Sequence, residues 1–246
     1  MTWLAGAKPF QTSSDGSEVT VNLTEDKGVK TFTDFWQKLL DEGLLDTKTA
    51  GWSEDWFKGM VDGTIASLTI GGWMPVNLMN GAPDQAGNWR VAQLPQWNEG
   101  DETSAEDGGS ALAVVGQSKQ QAAAYKFVEY LTHGKGAQTM ADTGTFPSLK
   151  SILTSKSFTD PNSEANKKVN DYFGGQNVNQ VLSEAAQRKV SKFAYLPYNP
   201  FAQSSFGDQI SKAFSKNITL KEAFANYAKA LADHGTQQGY TVTNKS

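Results

Sequence analysis

Residues 62–78, DGTIASLTIGGWMPVNL, place a tryptophan directly after two glycines at the end of an apolar run. Ile65 to Ile70 reads as a buried strand, and Gly71-Gly72 marks where that strand stops. Trp73 then stands at a strand's carboxyl end, beyond which α/β proteins commonly bind their ligands. The alternative is a core aromatic, because Trp is highly buried on average.

Working outward, Glu18 to Asn22 alternates like a strand after the turn signal Asp15-Gly16. Lys27 to Glu42 carries Val29, Phe32, Phe35, Trp36, Leu39 and Leu40 at three- and four-residue steps, which predicts a helix stopped by Gly43. Ser53 is placed to cap a short helix running to Met60. Further strands are expected at Trp89 to Leu94 and Ala111 to Val115, separated by the turn-forming stretch NEGDETSAEDGGS at 98–110. The second of these leads into an Ala-rich helix from Lys119 to Leu131 with Ala123, Phe127 and Leu131 on one face, a strand-then-helix unit of an α/β layer. Helices are also expected at 163–172 and 177–188. Thr219-Leu-Lys-Glu222 fits a capping box opening a last helix, whose stripe is Phe224, Tyr227 and Leu231.

The composition excludes several chemistries. A chain of 246 residues with formal net charge −4 and intermixed acidic and basic residues has no basic field for nucleic acid. No apolar run is long enough to span a bilayer. The absence of Cys removes disulfides, thiolate metal sites and thiol nucleophiles. The two His, His133 and His234, lie far apart in polar contexts and call for no metal or catalytic role. The start, MTWLAGAKPF, lacks the pattern of a signal peptide. Nucleophile elbows, HExxH, phosphate loops and dinucleotide fingerprints are all missing. The acidic pairs Glu54-Asp55 and Glu106-Asp107 could in principle supply a glycosidase with its carboxylates. Neither lies in an apolar setting that would raise one pKa, so no catalytic residue, metal or cofactor is assigned.

Aromatics make up 11% of the residues, including seven Trp, against a background of Asn, Gln, Ser, Thr, Asp and Gly. Such a mixture suits a sugar, whose C–H faces stack on aromatic planes while its hydroxyls need polar partners. Three stretches place aromatics outside a simple core pattern: Trp73 after Gly71-Gly72, Trp3 among small residues, and LPYNPFAQSSF at 196–206 with Tyr198 and Phe201. The prolines of this last stretch predict no regular helix before about Gln203.

The ordered set of Asp62-Gly-Thr-Ile-Ala66, Gly71-Gly72-Trp73, Gly87-Asn-Trp-Arg-Val-Ala92, Leu94-Pro-Gln-Trp97, Asp107-Gly-Gly-Ser110 and Gly144-Thr-Phe-Pro147 resembles the extracellular solute-binding proteins of carbohydrate ABC importers. The resemblance implies a type II periplasmic-binding-protein-like α/β fold in which two lobes clamp a sugar and present it to permease subunits, with no enzymatic step. It implies an extracellular, lipid-anchored or periplasmic protein. Against the family layout the chain begins within the second lobe: 1–108 belong to that lobe, 109–155 return to the first, and 156–246 are second lobe again. An apolar face in 109–155 would then lack its partner within this chain. The resemblance also implies a ligand site. Trp73 is its sugar platform, with Gly72 allowing close approach and Gly109 and Ser110 at the crossing between lobes. Trp3, Tyr198 and Phe201 fall in regions that contribute further cleft aromatics.

Overall fold

The computed structural model describes residues 1–190 and 194–245, so the span 156–246 expected as second lobe includes residues 191–193 and 246 outside the described set. In chain order, β1 (Phe10–Thr12) and β2 (Glu18–Val21) precede α1 (Lys27–Asp41), α2 (Glu54–Val61) and α3 (Met74–Gly81). After β3 (Thr103–Ser104) come α4 (Gln121–His133), α5 (Lys135–Asp142), α6 (Lys150–Leu153), α7 (Lys156–Thr159), α8 (Glu164–Tyr172) and α9 (Val178–Gln187). β4 (Lys189–Val190), α10 (Asn199–Phe214), α11 (Leu220–Gln237) and β5 (Thr241–Asn244) follow. These elements gather into two compact units, one of Met1–Lys48, Gln96–Ala105 and Val190–Ser246, the other of Thr49–Pro95 and Glu106–Lys189.

The first unit is built on the sheet β1-β2-β5, antiparallel between β1 and β2 and parallel between β2 and β5. Alternation works as expected on β2, where Val19 and Val21 turn inward and Glu18 outward. The β1–β2 turn is closed by the Asp15 carboxylate, which accepts from the Ser13 and Ser17 hydroxyls and the Ser17 N–H. Those bonds, the Ser13 hydroxyl first, hold its pKa down at about 2. Val19 and Val21 pack with Val29 of α1 and with Phe224, Tyr227 and Leu231 of α11. Asp26 starts α1 by accepting from the N–H groups of Gly28 and Val29. At the start of α11 the expected capping box is present, with Thr219 and Glu222 each satisfying the other's backbone N–H. Tyr227 donates to the Ala202 carbonyl at 2.9 Å, and burial pushes its phenol pKa up. The late helix start expected near Gln203 is corrected: α10 begins at Asn199 with Pro200 in its first turn. There the missing N–H of proline would have had no intrahelical partner anyway.

The second unit has its core where α2, α3, α8 and α9 meet, around Met60, Met74, Leu78, Phe173 and Val178. Ser53, Ser163 and Asn177 cap α2, α8 and α9 through side-chain oxygens. The Tyr172 hydroxyl donates to the Ala82 carbonyl at 2.7 Å, tying the end of α8 to the end of α3. A smaller cluster joins Ile152, Leu153 and Phe158 with Ala137 and Ala141.

Three expected strands do not form. Residues 65–70, 89–94 and 111–115 carry no ladder pairing. A strand needs a neighbour for its backbone groups, and among the described residues no strand pairs with these. Ile65, Leu68 and Ile70 turn toward the core while Ala66, Ser67 and Thr69 are exposed, so the segment buries some of its side chains without forming a strand buried on both faces. Around Val91 a side chain replaces the missing strand: the Val91 N–H donates to Gln176 Oε1 at 2.8 Å, and Gln176 Nε2 donates to the Val91 carbonyl at 2.7 Å. The helix expected at Lys119 to Leu131 is present as α4, but none of its residues is buried and Phe127 is 61% exposed.

Two phenylalanines of this unit therefore differ sharply in what they hold together. Phe173→Ala, at a fully packed position, should cost about 3–5 kcal/mol. Phe127→Ala should change the stability of the isolated chain by no more than about 0.5 kcal/mol. Urea titration of both variants checks this, and equal losses would contradict the packing described.

Candidate aromatic binding site

The chain stops at Gly71 and turns into α3, with the Met74 N–H bonded to the Gly71 carbonyl at 3.0 Å and Pro75 in the first helical turn. This turn positions Trp73 at the N-cap of α3. A β-carbon at residue 71 would overlap the Trp73 indole nitrogen, and one at residue 72 would stand 3.1 Å from the Phe146 ring and 3.3 Å from Leu182. The two glycines thus let one ring fold back over the backbone and another pack beneath it. Trp73 is half-buried against the core of the second unit. Its indole N–H donates to the Asp107 carbonyl at 2.8 Å, which anchors the ring to the loop of Gly108, Gly109 and Ser110. Gly108 and Gly109 have φ of +95° and +115°, values that L side chains rarely adopt. Gly109 and Ser110 are exposed, and nothing lies close to where a Gly109 side chain would stand.

A residue that the sequence reading passed over joins this group. Trp52, just before the cap of α2, stacks on Trp73 with ring centroids 5.5 Å apart and planes 28° from parallel. It also meets Trp56 at 5.3 Å and Phe57 at 6.2 Å. The signal was present in Gly51-Trp52-Ser53, an aromatic in a turn directly ahead of a helix cap, the same kind of loop placement that drew attention to Trp73.

The remaining candidates belong to the first unit. Trp3 lies half-buried in the short 3-10 turn Trp3–Ala5. Tyr198 is buried in the core beside His234 and Tyr240, and its hydroxyl has no hydrogen-bond partner among the described residues. Burial pushes its phenol pKa up. Phe201 is partly buried and lies flat on His234, with centroids 3.8 Å apart and planes 4° from parallel. The structure therefore brings Trp73 and Gly72 together with the Gly109-Ser110 loop in one unit, and places Trp3, Tyr198 and Phe201 in the other.

The acidic pairs are exposed. Glu54 and Asp55 occupy the first turn of α2, where carboxylates favour the helix dipole, and Glu106 and Asp107 lie in the exposed loop before Gly108.

With this geometry in place, comparison with known proteins identifies the class. The family of bacterial extracellular solute-binding proteins matches residues 1–166, and the chain belongs to that family. Among its relatives, a lactose-binding protein of Rhizobium radiobacter is 27% identical over 177 residues, covering 70% of this chain and 38% of that protein. The ABC transporter associated binding protein from B. animalis subsp. lactis Bl-04, solved in complex with beta-1,6-galactobiose, is 51% identical with a TM-score of 0.90. That match covers 99% of this chain and 60% of the other. The galacto-N-biose-/lacto-N-biose I-binding protein of Bifidobacterium longum shares the fold, with a TM-score of 0.78 at 24% identity, and 57% of it is covered. The chain thus has the type II periplasmic-binding-protein-like α/β fold and spans 38–60% of the length of these proteins. Among the described residues no helix is long and apolar enough to cross a membrane.

The anchoring of Trp73 is open to a direct check. Gly71→Ala should push the indole away from the Asp107 carbonyl and speed hydrogen exchange of the Trp73 indole proton. An indole proton as protected as in the parent would show that the glycine is not what seats the ring.

Proposed function

We infer that the chain is part of the extracellular sugar-capturing component of an ABC importer, with Trp73 as the platform under a sugar ring. The observation that carries this reading is the seated indole of Trp73, half-buried at a helix start and fixed through its N–H to the loop at Asp107. An aromatic face held rigidly beside exposed backbone amides suits a ligand with an apolar C–H face and a rim of hydroxyls. The relative bound to beta-1,6-galactobiose at 51% identity supports a short galactose-containing oligosaccharide as the ligand.

In this reading Gly72, Gly109 and Ser110 contribute backbone groups and a hydroxyl beside Trp73. Residues 1–108 and 156–246 belong to the second lobe of the family fold, and 109–155 return to the first. Capture works by population shift: the sugar stabilises a closed arrangement of lobes because it touches both, and the permease subunits receive that closed form. The protein acts at the outer face of the membrane, held by a lipid anchor. It performs no chemistry on the sugar, a view supported by the exposed acidic pairs, which have none of the apolar enclosure that general acid catalysis requires.

Trp73→Ala in the full-length protein should weaken beta-1,6-galactobiose binding at least tenfold by calorimetry, about 1.4 kcal/mol or more, with the sugar recovered intact. An unchanged affinity would remove Trp73 from the site, and a cleaved sugar would remove the binding-protein reading. The assignment of 109–155 to the first lobe carries its own expectation. Leu112, Val115, Tyr125, Phe127 and Tyr130 are all exposed here, and so large an apolar face promotes association. The isolated 246-residue chain should self-associate in sedimentation experiments, and a monodisperse monomer would count against the assignment.

A further inference from the structure

Of the seven Trp, Trp52 is the one the described structure leaves mainly in solvent, at 53% exposure. It is also held in a backbone conformation that disfavours it, with φ +68°. A bulky L-residue there brings its Cβ against the following carbonyl, and glycine would fill the position without that conflict. A half-wet ring recovers only part of the gain of burying an indole, so folding alone is a poor reason for placing Trp here. What the left-handed turn achieves is direction. It carries the ring onto Trp73, with Trp56 and Phe57 behind it.

We propose that Trp52 is a second stacking element of the sugar site, beside Trp73, and that it takes the second ring of a disaccharide. The proposal rests on the reading of Trp73 as the sugar platform. A centroid separation of 5.5 Å exceeds the roughly 3.5–4.0 Å of full face-to-face carbon contact. The two indoles, tilted 28° from parallel, are therefore not in full face-to-face contact, and each keeps part of a face uncovered. A linked pair of pyranoses presents two C–H faces, one for each indole. The two nitrogens are also differently employed. The Trp73 N–H is committed to Asp107, whereas the Trp52 N–H makes no hydrogen bond within the described structure and is available to a sugar hydroxyl. Strain at an exposed aromatic is the kind of local cost that persists at ligand-contacting positions.

The test uses the full-length protein with beta-1,6-galactobiose and galactose as probes. Trp52→Gly removes the ring and relieves the backbone, so it should melt no lower than the parent while binding the disaccharide at least tenfold more weakly. Trp52→Phe should retain affinity within about threefold, and galactose binding should fall less than disaccharide binding in Trp52→Gly. Disaccharide affinity that is unchanged or tighter in Trp52→Gly overturns the proposal, because the ring would then be a bystander or a cover over Trp73. A lower melting temperature with binding intact overturns it equally, by making Trp52 structural. If Trp73→Ala still loses binding in either case, the sugar site stands without Trp52. If Trp73→Ala also binds normally, the reading of the site itself has failed.

Discussion

The missing β-carbons at Gly71 and Gly72 are the constraint on which the second unit's aromatic surface depends. Without them the Trp73 ring could not lie against its own backbone, nor could Phe146 and Leu182 close beneath the turn. The same device recurs at Gly81, where an added β-carbon would overlap the Phe57 ring. In each place a large side chain uses the space a small one leaves. The result is close packing that brings rings up to the main chain instead of spacing them off it. Phe57 and Trp73 are both held this way, and Trp52 lies against both.

That constraint explains why the opening stretch could be interpreted correctly at one level and incorrectly at another. The apolar run Ile65 to Ile70 does contribute Ile65, Leu68 and Ile70 to the core, but Ala66, Ser67 and Thr69 are exposed, and Gly71-Gly72 marks where the segment ends. The strand itself did not form, because periodicity reports what a segment buries and not what its backbone bonds to. The same holds at Val91, where Gln176 supplies from a side chain the two hydrogen bonds that an adjacent strand would otherwise provide. Nothing in a one-dimensional pattern distinguishes these solutions. Helix signals fared better because they are local: Ser53 and Thr219 cap where the sequence places a cap, their bonds closing within three residues. Pro200 misled because its effect depends on position within a helix, which the local sequence leaves open.

Of the candidate site, Trp73 and the glycine loop at 108–109 were legible because each combines an unusual residue with an unusual place. Trp52 was not, although its loop is similar, since only the folded chain shows that a left-handed tryptophan ends against Trp73. Tyr198 illustrates the opposite difficulty. An aromatic among prolines looks like surface, yet here it lies in the core of the first unit with a hydroxyl that has no partner among the described residues. A buried hydroxyl without a partner costs more than an exposed one.

The two aromatic groups are built on opposite principles. In the first unit Tyr198 lies in the core and Phe201 is partly buried, stacked flat on His234, so its rings mainly provide cohesion. In the second, Trp73 is half-buried and anchored through its polar atom, and Trp52 is strained and half in water. Hydrophobic burial is non-directional and rewards any arrangement that hides area. It therefore accounts for Tyr198 and Phe201 but not for an indole held open at the cost of a poor backbone conformation. Directional restraint with incomplete burial leaves ring faces available, which is what a stacking ligand needs and what a closed core lacks. The second unit's tryptophans accordingly carry the functional reading, and that weighting follows from how the rings are held rather than from how many there are.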